Sequence, residues 1–290
     1  MRIVNFGSLN IDHVYRVDHI ARPGETIASR DYQVFAGGKG ANQSVALARA
    51  GAAVAHAGVV GRDGTWLINR LADCGVDTQF TRIADVSTGC AIIQVAPDGE
   101  NAIVLFPGCN HAIEREHVDQ VFTQCAEDDM LLLQNEINDV PYLIEAAHRR
   151  GLRVAFNPAP LDDATNDYPL EYVDLLFVNE TEGHGLTGET DADAIARRIV
   201  ERLPKVEVVV TRGRDGALYR RGDSVITKPA QPVDAVDATG AGDTFIGYFL
   251  ATYVAGGSAD QALIWATRAA ALCVARPGAM DSIPTRDMLT

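Results

Sequence analysis

The sequence predicts an α/β fold, a parallel-rich central sheet flanked by helices with a small second β-sheet attached. Three features of the 290 residues carry that expectation. Short apolar runs alternate with segments of helical length along most of the chain. The runs are brief and rich in Val and Leu, which suits strands covered on both faces. Two stretches, 11–35 and 88–106, break this rhythm with short alternating or β-rich pieces.

The first strand is read at 2–6, and the first excursion ends in a strand-like 32–35 that runs into an Ala-rich helix closed by Gly51. A strand follows at 54–60 and a helical pattern at 64–74. The second excursion holds β-rich pieces at 91–95 and 103–106, joined by the turn Pro97-Asp98-Gly99-Glu100. Strands at 130–133, 153–156, 175–178 and 206–210 alternate with helices at 140–150 and 192–202. The chain then turns helical, at 245–255 and 259–274. No Gly-, Ser- or Pro-rich linker divides it, so one domain over 1–290 is expected, with 11–35 and 88–106 as insertions. In such a sheet, ligands sit at the carboxyl ends of the strands.

The net charge of −14 argues against a nucleic-acid footprint and against adhesion to anionic membrane. It leaves nucleotides open, since they need only a local positive site. Cys74, Cys90, Cys109, Cys125 and Cys273 are odd in number and lack a C-x-x-C pair, so they read as reduced thiols. The chain opens directly on a strand and has no apolar run of transmembrane length. A soluble cytoplasmic protein is expected.

The most informative stretch is Asp237-Ala238-Thr239-Gly240-Ala241-Gly242-Asp243-Thr244-Phe245, which opens an apolar helix. Glycines in a helix's first turn let backbone N–H groups approach a ligand closely. Those groups have no partner inside the helix, and the macrodipole makes that end partly positive. Such an end holds a phosphate or oxyanion, and Asp243 lies in the same turn. An anion cradle beside a base is what phosphoryl transfer to a hydroxyl requires. The stretch also fits an ordinary helix start, with Thr239 as N-cap and Asp243 favoured by the dipole. A second cluster, Gly37-Gly38-Lys39-Gly40-Ala41-Asn42-Gln43-Ser44, gives close backbone approach plus one mobile positive charge. Its other reading is a flexible turn before a small-residue helix. Neither cluster has the Walker A or the dinucleotide-binding spacing.

These two regions resemble the hallmark motifs of the ribokinase-type (phosphofructokinase B) sugar kinases. Gly51 and Gly61, the runs Gly7-Ser8-Leu9-Asn10-Ile11-Asp12 and Pro23-Gly24-Glu25-Thr26, and Asn157-Pro158-Ala159-Pro160 and Asn179-Glu180-Thr181-Glu182 follow the family's order over nearly the whole chain. Ala238 and Tyr248 depart from it, and Tyr248 bears on the packing behind the anion hole. The resemblance implies a ribokinase-like fold in which the small sheet is a lid over the sugar. It also implies dimers formed by paired lids, which suits a small sheet with an uncovered apolar face and exposed edges.

In a strand, Asn10 and Asp12 point to the same side. A carboxylate accepts bonds from vicinal hydroxyls and an amide both donates and accepts, so the pair suits a polyol, although a surface Asx turn fits it too. Asn42, Gly38 and Lys39 would add polar contacts. Glu136 corresponds to the family's sugar-contacting glutamate, whereas in isolation it reads as a solvated loop residue. Asn179 and Glu182 match the family's N-x-x-E motif, which positions Mg²⁺ and phosphate largely through water. The same pattern is a helix capping box. Thr211 and Gly213 resemble nucleotide-phosphate contacts, while Arg214-Asp215-Gly216 also reads as a hairpin turn. By resemblance alone, K⁺ is implied at Asp237, the carbonyls of Thr239, Cys273, Arg276 and Gly278, and Ser282.

The activity implied is ATP-dependent phosphorylation of a sugar's primary hydroxyl, most simply O5 of D-ribose. Asp243 would be the base, with the Gly240-Ala241-Gly242 turn presenting amides to the transferring group. A kinase of another sugar or of a nucleoside is the nearest alternative. A dinucleotide-dependent dehydrogenase lacks its fingerprint here, and a non-catalytic sugar-binding protein would need no Asp243.

Overall fold

The computed structural model describes residues 1–289, and thirteen strands form two sheets. The larger holds β1 (Ile3–Phe6), β4 (Val54–Gly61), β5 (Asp77–Ala84), β8 (Met130–Gln134), β9 (Arg153–Asn157), β10 (Leu175–Asn179), β11 (Glu207–Thr211), β12 (Ala217–Arg221) and β13 (Ser224–Lys228). The smaller holds β2 (Asn10–Arg16), β3 (Asp31–Gly37), β6 (Gly89–Val95) and β7 (Asn101–Phe106).

Side chains on the inner strands alternate between two cores. Ile3 and Leu132 face one, while Val4, Leu131 and Leu133 face the other. Burial on both sides is why these strands read as unbroken apolar runs. Helices α1 (Lys39–Arg49), α2 (Thr65–Asp73), α7 (Ala241–Val254) and α8 (Ala259–Val274) cover the first face. On the opposite face lie α3 (Arg115–Phe122), α4 (Val140–Arg149), α5 (Glu180–Thr187) and α6 (Ala192–Arg202).

The order across the large sheet is β13-β12-β11-β10-β9-β8-β1-β4-β5. The strands from β11 to β5 are parallel, and β12 and β13 add an antiparallel edge. The chain runs outward from β1 to β5, then returns to lay β8 on β1's other side. That reversal leaves a crevice at the carboxyl ends of β1 and β8. The four-stranded sheet, ordered β3-β2-β6-β7, joins the body there, because β2 follows β1 after three residues.

Several boundaries differ from expectation. Helix α7 begins at Ala241 rather than 245, and its N-cap is Gly240, not Thr239. The cap has φ 75°, a left-handed conformation that a threonine adopts only with strain. Strands β5, β12 and β13 and helix α3 had no counterpart in the sequence reading, and α5 was read only as a capping box at Asn179.

Candidate active site

Asp243 lies in the first turn of α7 and is buried. Both its oxygens are held by adjacent residues of α1. Gln43 Nε2 donates to Oδ1 at 2.9 Å and Asn42 Nδ2 to Oδ2 at 3.0 Å. Burial pushes the Asp243 carboxyl up, opposed by the Lys39 ammonium and the two amide donors. Burial alone would lower Lys39, but Asp243, Glu136 and Glu182 together hold it above its usual value. The two groups share a dry corner, where each favours the charged form of the other.

Around Asp243 opens a cavity of about 240 Å³ lined by Lys39, Asn179, Glu182, Thr211, Gly240 and Gly242 among others. A Cβ added at Gly242 would meet nothing within 4 Å, so this turn presents bare backbone to open space. The Ala241 amide is turned onto the Ala238 carbonyl at 3.3 Å, and the Gly242 and Asp243 amides are first-turn donors with no partner inside the helix. A larger cavity of about 310 Å³ opens elsewhere, between Leu170, Leu186, Ile199 and Leu203, and no predicted site residue lines it.

At the junction of the two sheets, β2 begins with Asn10 and carries Asp12 two residues on. Asn10 Oδ1 accepts from Asn110 Nδ2 at 2.7 Å, which fixes its amide. Burial, with the Glu136 carboxylate beside it, pushes Asp12 up to about 7. Glu136 is no solvated loop residue. Its Oε2 accepts from the Lys39 amide at 2.9 Å and from the Ser8 hydroxyl, and burial raises its carboxyl. Gly40 makes this convergence possible, since a Cβ there would lie 2.4 Å from the Ser8 nitrogen. Asn42 Oδ1 is buried without a partner, an acceptor available to a hydroxyl.

Asn179 and Glu182 form the capping box that opens α5. The Glu182 amide donates to Asn179 Oδ1 at 2.8 Å and the Asn179 amide to Glu182 Oε2 at 2.9 Å. Both residues also line the cavity, so cap and site coexist. Thr211 ends β11 at the cavity wall, whereas Gly213 lies exposed in the turn leading to β12 and is not part of that wall. The Arg214-Asp215-Gly216 segment does close a hairpin, with Thr211 opposite Ala217.

Below the α7 turn, Asp237 accepts from the Thr239 amide and from the Gly278 amide, each at 2.9 Å. These bonds, against the opposing effect of burial, keep its carboxyl below the usual range. Cys273 Sγ lies 3.0 Å from Ser282 Oγ and 3.9 Å from the Thr239 carbonyl, and the Arg276 amide donates to the Cys273 carbonyl at 3.1 Å. All six residues named for a monovalent cation thus gather in one corner. All five cysteines are free thiols.

A profile of pfkB family carbohydrate kinases matches residues 1–286. The chain belongs to that family. It is 40% identical over 290 residues to the ribokinase of Haemophilus influenzae, covering 97% of this chain and 94% of the relative. Among solved structures it is similar to a ribokinase from Cryptococcus neoformans in complex with ADP, at 36% identity and TM-score 0.88 over 99% of this chain and 98% of that one. It is similar also to an Arabidopsis thaliana ribokinase complexed with ribose and ATP, at 31% identity and TM-score 0.88 over 99% and 96%.

In this PfkB kinase several residues that shape the site were not singled out from sequence. Ser8 and Gln43 lay inside motifs whose neighbours drew attention, while Asn110 and Gln134 lay in no motif at all. A single amide inside an apolar run has no periodic signature. Gln134, the one polar residue closing the apolar run of β8, is the signal that was available.

Proposed function

We propose that this kinase transfers the γ-phosphoryl group of ATP to O5 of D-ribose, giving ribose 5-phosphate and ADP. The observation that carries the reading is the Asp243 carboxylate, buried between the polyol-binding corner and a cavity rimmed by a helix N-terminus. Asn10, Asp12 and Glu136 offer hydrogen-bond acceptors to hydroxyls, with Asn42 as both donor and acceptor. Asp243 orients the acceptor hydroxyl and takes its proton as the oxygen–phosphorus bond forms and the bond to the ADP oxygen breaks. A carboxylate cannot deprotonate a free alcohol outright, so proton transfer is late and coupled to phosphoryl movement. The Gly242 and Asp243 amides and Lys39 stabilise charge on the transferring group.

Apart from Lys39, none of the residues proposed to contact the sugar is a cation, so an unphosphorylated sugar is favoured over a sugar phosphate. Segments 11–35 and 88–106 act as the lid that excludes water from the reaction. Phosphorus-31 NMR of a reaction with ribose and ATP tests the assignment, which predicts a single new phosphomonoester at C5. A product phosphorylated elsewhere, or ADP release without a sugar ester, refutes it.

Mg²⁺ fits the nucleotide side. Asn179 and Glu182 are oxygen donors already bonded to each other, so they would hold it mainly through water, where it supplies charge neutralisation to the phosphates. Chelation with EDTA should abolish turnover. K⁺ fits the Asp237 corner, whose carboxylate stays ionised and whose Thr239 carbonyl belongs to the turn that presents the amides. Turnover should rise with K⁺ at fixed ionic strength against choline, and a flat titration of dialysed enzyme rejects the site. Free thiols suit a reducing compartment, and we assign the protein to the cytoplasm; recovery in another fraction of the cell would contradict this.

A further inference from the structure

We propose that Gln43 is the positioning residue of the catalytic carboxylate, holding the plane of Asp243 through an amide whose own orientation is fixed from the sheet. The inference rests on the reading of Asp243 as the proton acceptor. Gln43 is fully buried, and its Nε2 donates to Asp243 Oδ1 at 2.9 Å and to Asn157 Oδ1 at 3.3 Å. Its Oε1 accepts from Gln134 Nε2 at 2.6 Å. Turning that amide over would set carbonyl against carboxylate and donor against donor, so Gln134 selects the one orientation that serves Asp243.

Gln134 is fixed in turn by Asn5 Oδ1 at 3.1 Å. Asn5 Nδ2 holds the Gly40 carbonyl and the Ser44 hydroxyl, each at 2.8 Å. The ladder therefore ties β1 and β8 to α1, and α1 to the carboxylate. Adjacent helical residues diverge by about 100°, so Asn42 and Gln43 reach one carboxylate only if it sits close against α1. Gly247, one turn beyond Asp243, permits that approach, because a Cβ there would lie 2.3 Å from Ala46 Cβ. Asn42 faces the sugar corner and has an acceptor left over, whereas every polar atom of Gln43 is spent inside the protein. Gln43 thus acts through Asp243 and not on substrate.

The test is Gln43→Met, which keeps length and volume and removes both polar atoms. With ribose and ATP, kcat should fall about 10- to 100-fold, as loss of a hydrogen bond to a charged group implies, while the ribose KM stays within about twofold. Lys39, Glu136, Glu182 and Cys273 also act electrostatically on Asp243 and remain in place. Losing the donor disfavours the carboxylate anion, so the acid limb of the kcat profile should move to higher pH by about one unit. In an Asp243→Asn background the same change should alter kcat by less than about twofold. An equal loss in both backgrounds, an unmoved acid limb, or unchanged kcat overturns the proposal. If Gln43→Met does not fold, Gln134→Met should shift the limb in the same direction by less, and a wild-type profile there overturns it. Near-normal turnover in Asp243→Asn alone would instead overturn the assignment of the base, and this inference with it.

Discussion

Asp243 is a buried carboxylate and Asp12 a half-buried one, and they differ in what holds them. Asp243 has a donor on each oxygen and an ammonium nearby, so as the proposed base it would be a restrained one. Replacing it with Asn keeps the shape but removes the proton acceptor, and kcat should fall about 10²–10⁴-fold. Ribose binding measured by calorimetry should change little, and comparable losses in both would point to a binding role. Asp12 has a second carboxylate beside it instead, and its pKa of about 7 has a stability consequence. The folded state binds that proton more tightly than the unfolded chain does, so stability declines as pH rises from the ordinary Asp range to about 7. Asp12→Asn should therefore stabilise the ligand-free protein at pH 8, by about 1–3 kcal/mol, with the gain vanishing near pH 4. It should also raise the ribose KM, because a site built for hydroxyls loses heavily when a partner is removed. A melting-temperature gain independent of pH would contradict this electrostatic account of Asp12.

At the scale of elements, the site depends on how closely α7 lies on α1. Gly247→Ala should push the two apart, costing about 1–3 kcal/mol in urea unfolding and lowering kcat as Asn42 and Gln43 draw away from Asp243. Unchanged stability and turnover would mean that the contact is slack. The same elements show what a sequence discloses. Strands β1, β4, β8, β9, β10 and β11 were legible because burial on two faces makes them continuous apolar runs. Strand β5 was not, since it is an edge strand of sequence Asp-Thr-Gln-Phe-Thr-Arg-Ile-Ala with only Phe80 buried. Helix α3 is short and mostly polar on its outer side, and α5 carries two glycines, so neither shows a strong helical period. The glycine-rich turns and Asp243 announced themselves by composition. Gln43, Gln134 and Asn110 did not, because their importance arises from partners 91 to 200 residues away.

At the scale of the molecule, the four-stranded sheet leaves apolar surface uncovered. Ile103, Val104, Leu105 and Phe106 are 46–67% exposed, so both faces of β7 are bare, and Val34 and Ile92 extend the patch. A patch of this kind, on a sheet with free edges, suits a partner, and we propose that the partner is a second copy of the same sheet. Sedimentation velocity should show a dimer that Val104→Asp converts to monomer with a raised ribose KM. A monomeric wild type would remove the lid pairing from the account. The central claim concerns the acceptor itself, and kcat/KM for ribose against fructose 6-phosphate, from ATP-dependent ADP release, tests it most directly. The corner proposed from Asn10, Asp12, Asn42 and Glu136 predicts strong preference for ribose, since its carboxylates would accept from hydroxyls and repel a phosphate on the sugar. Comparable values for the two sugars, or no turnover with ribose, would contradict it.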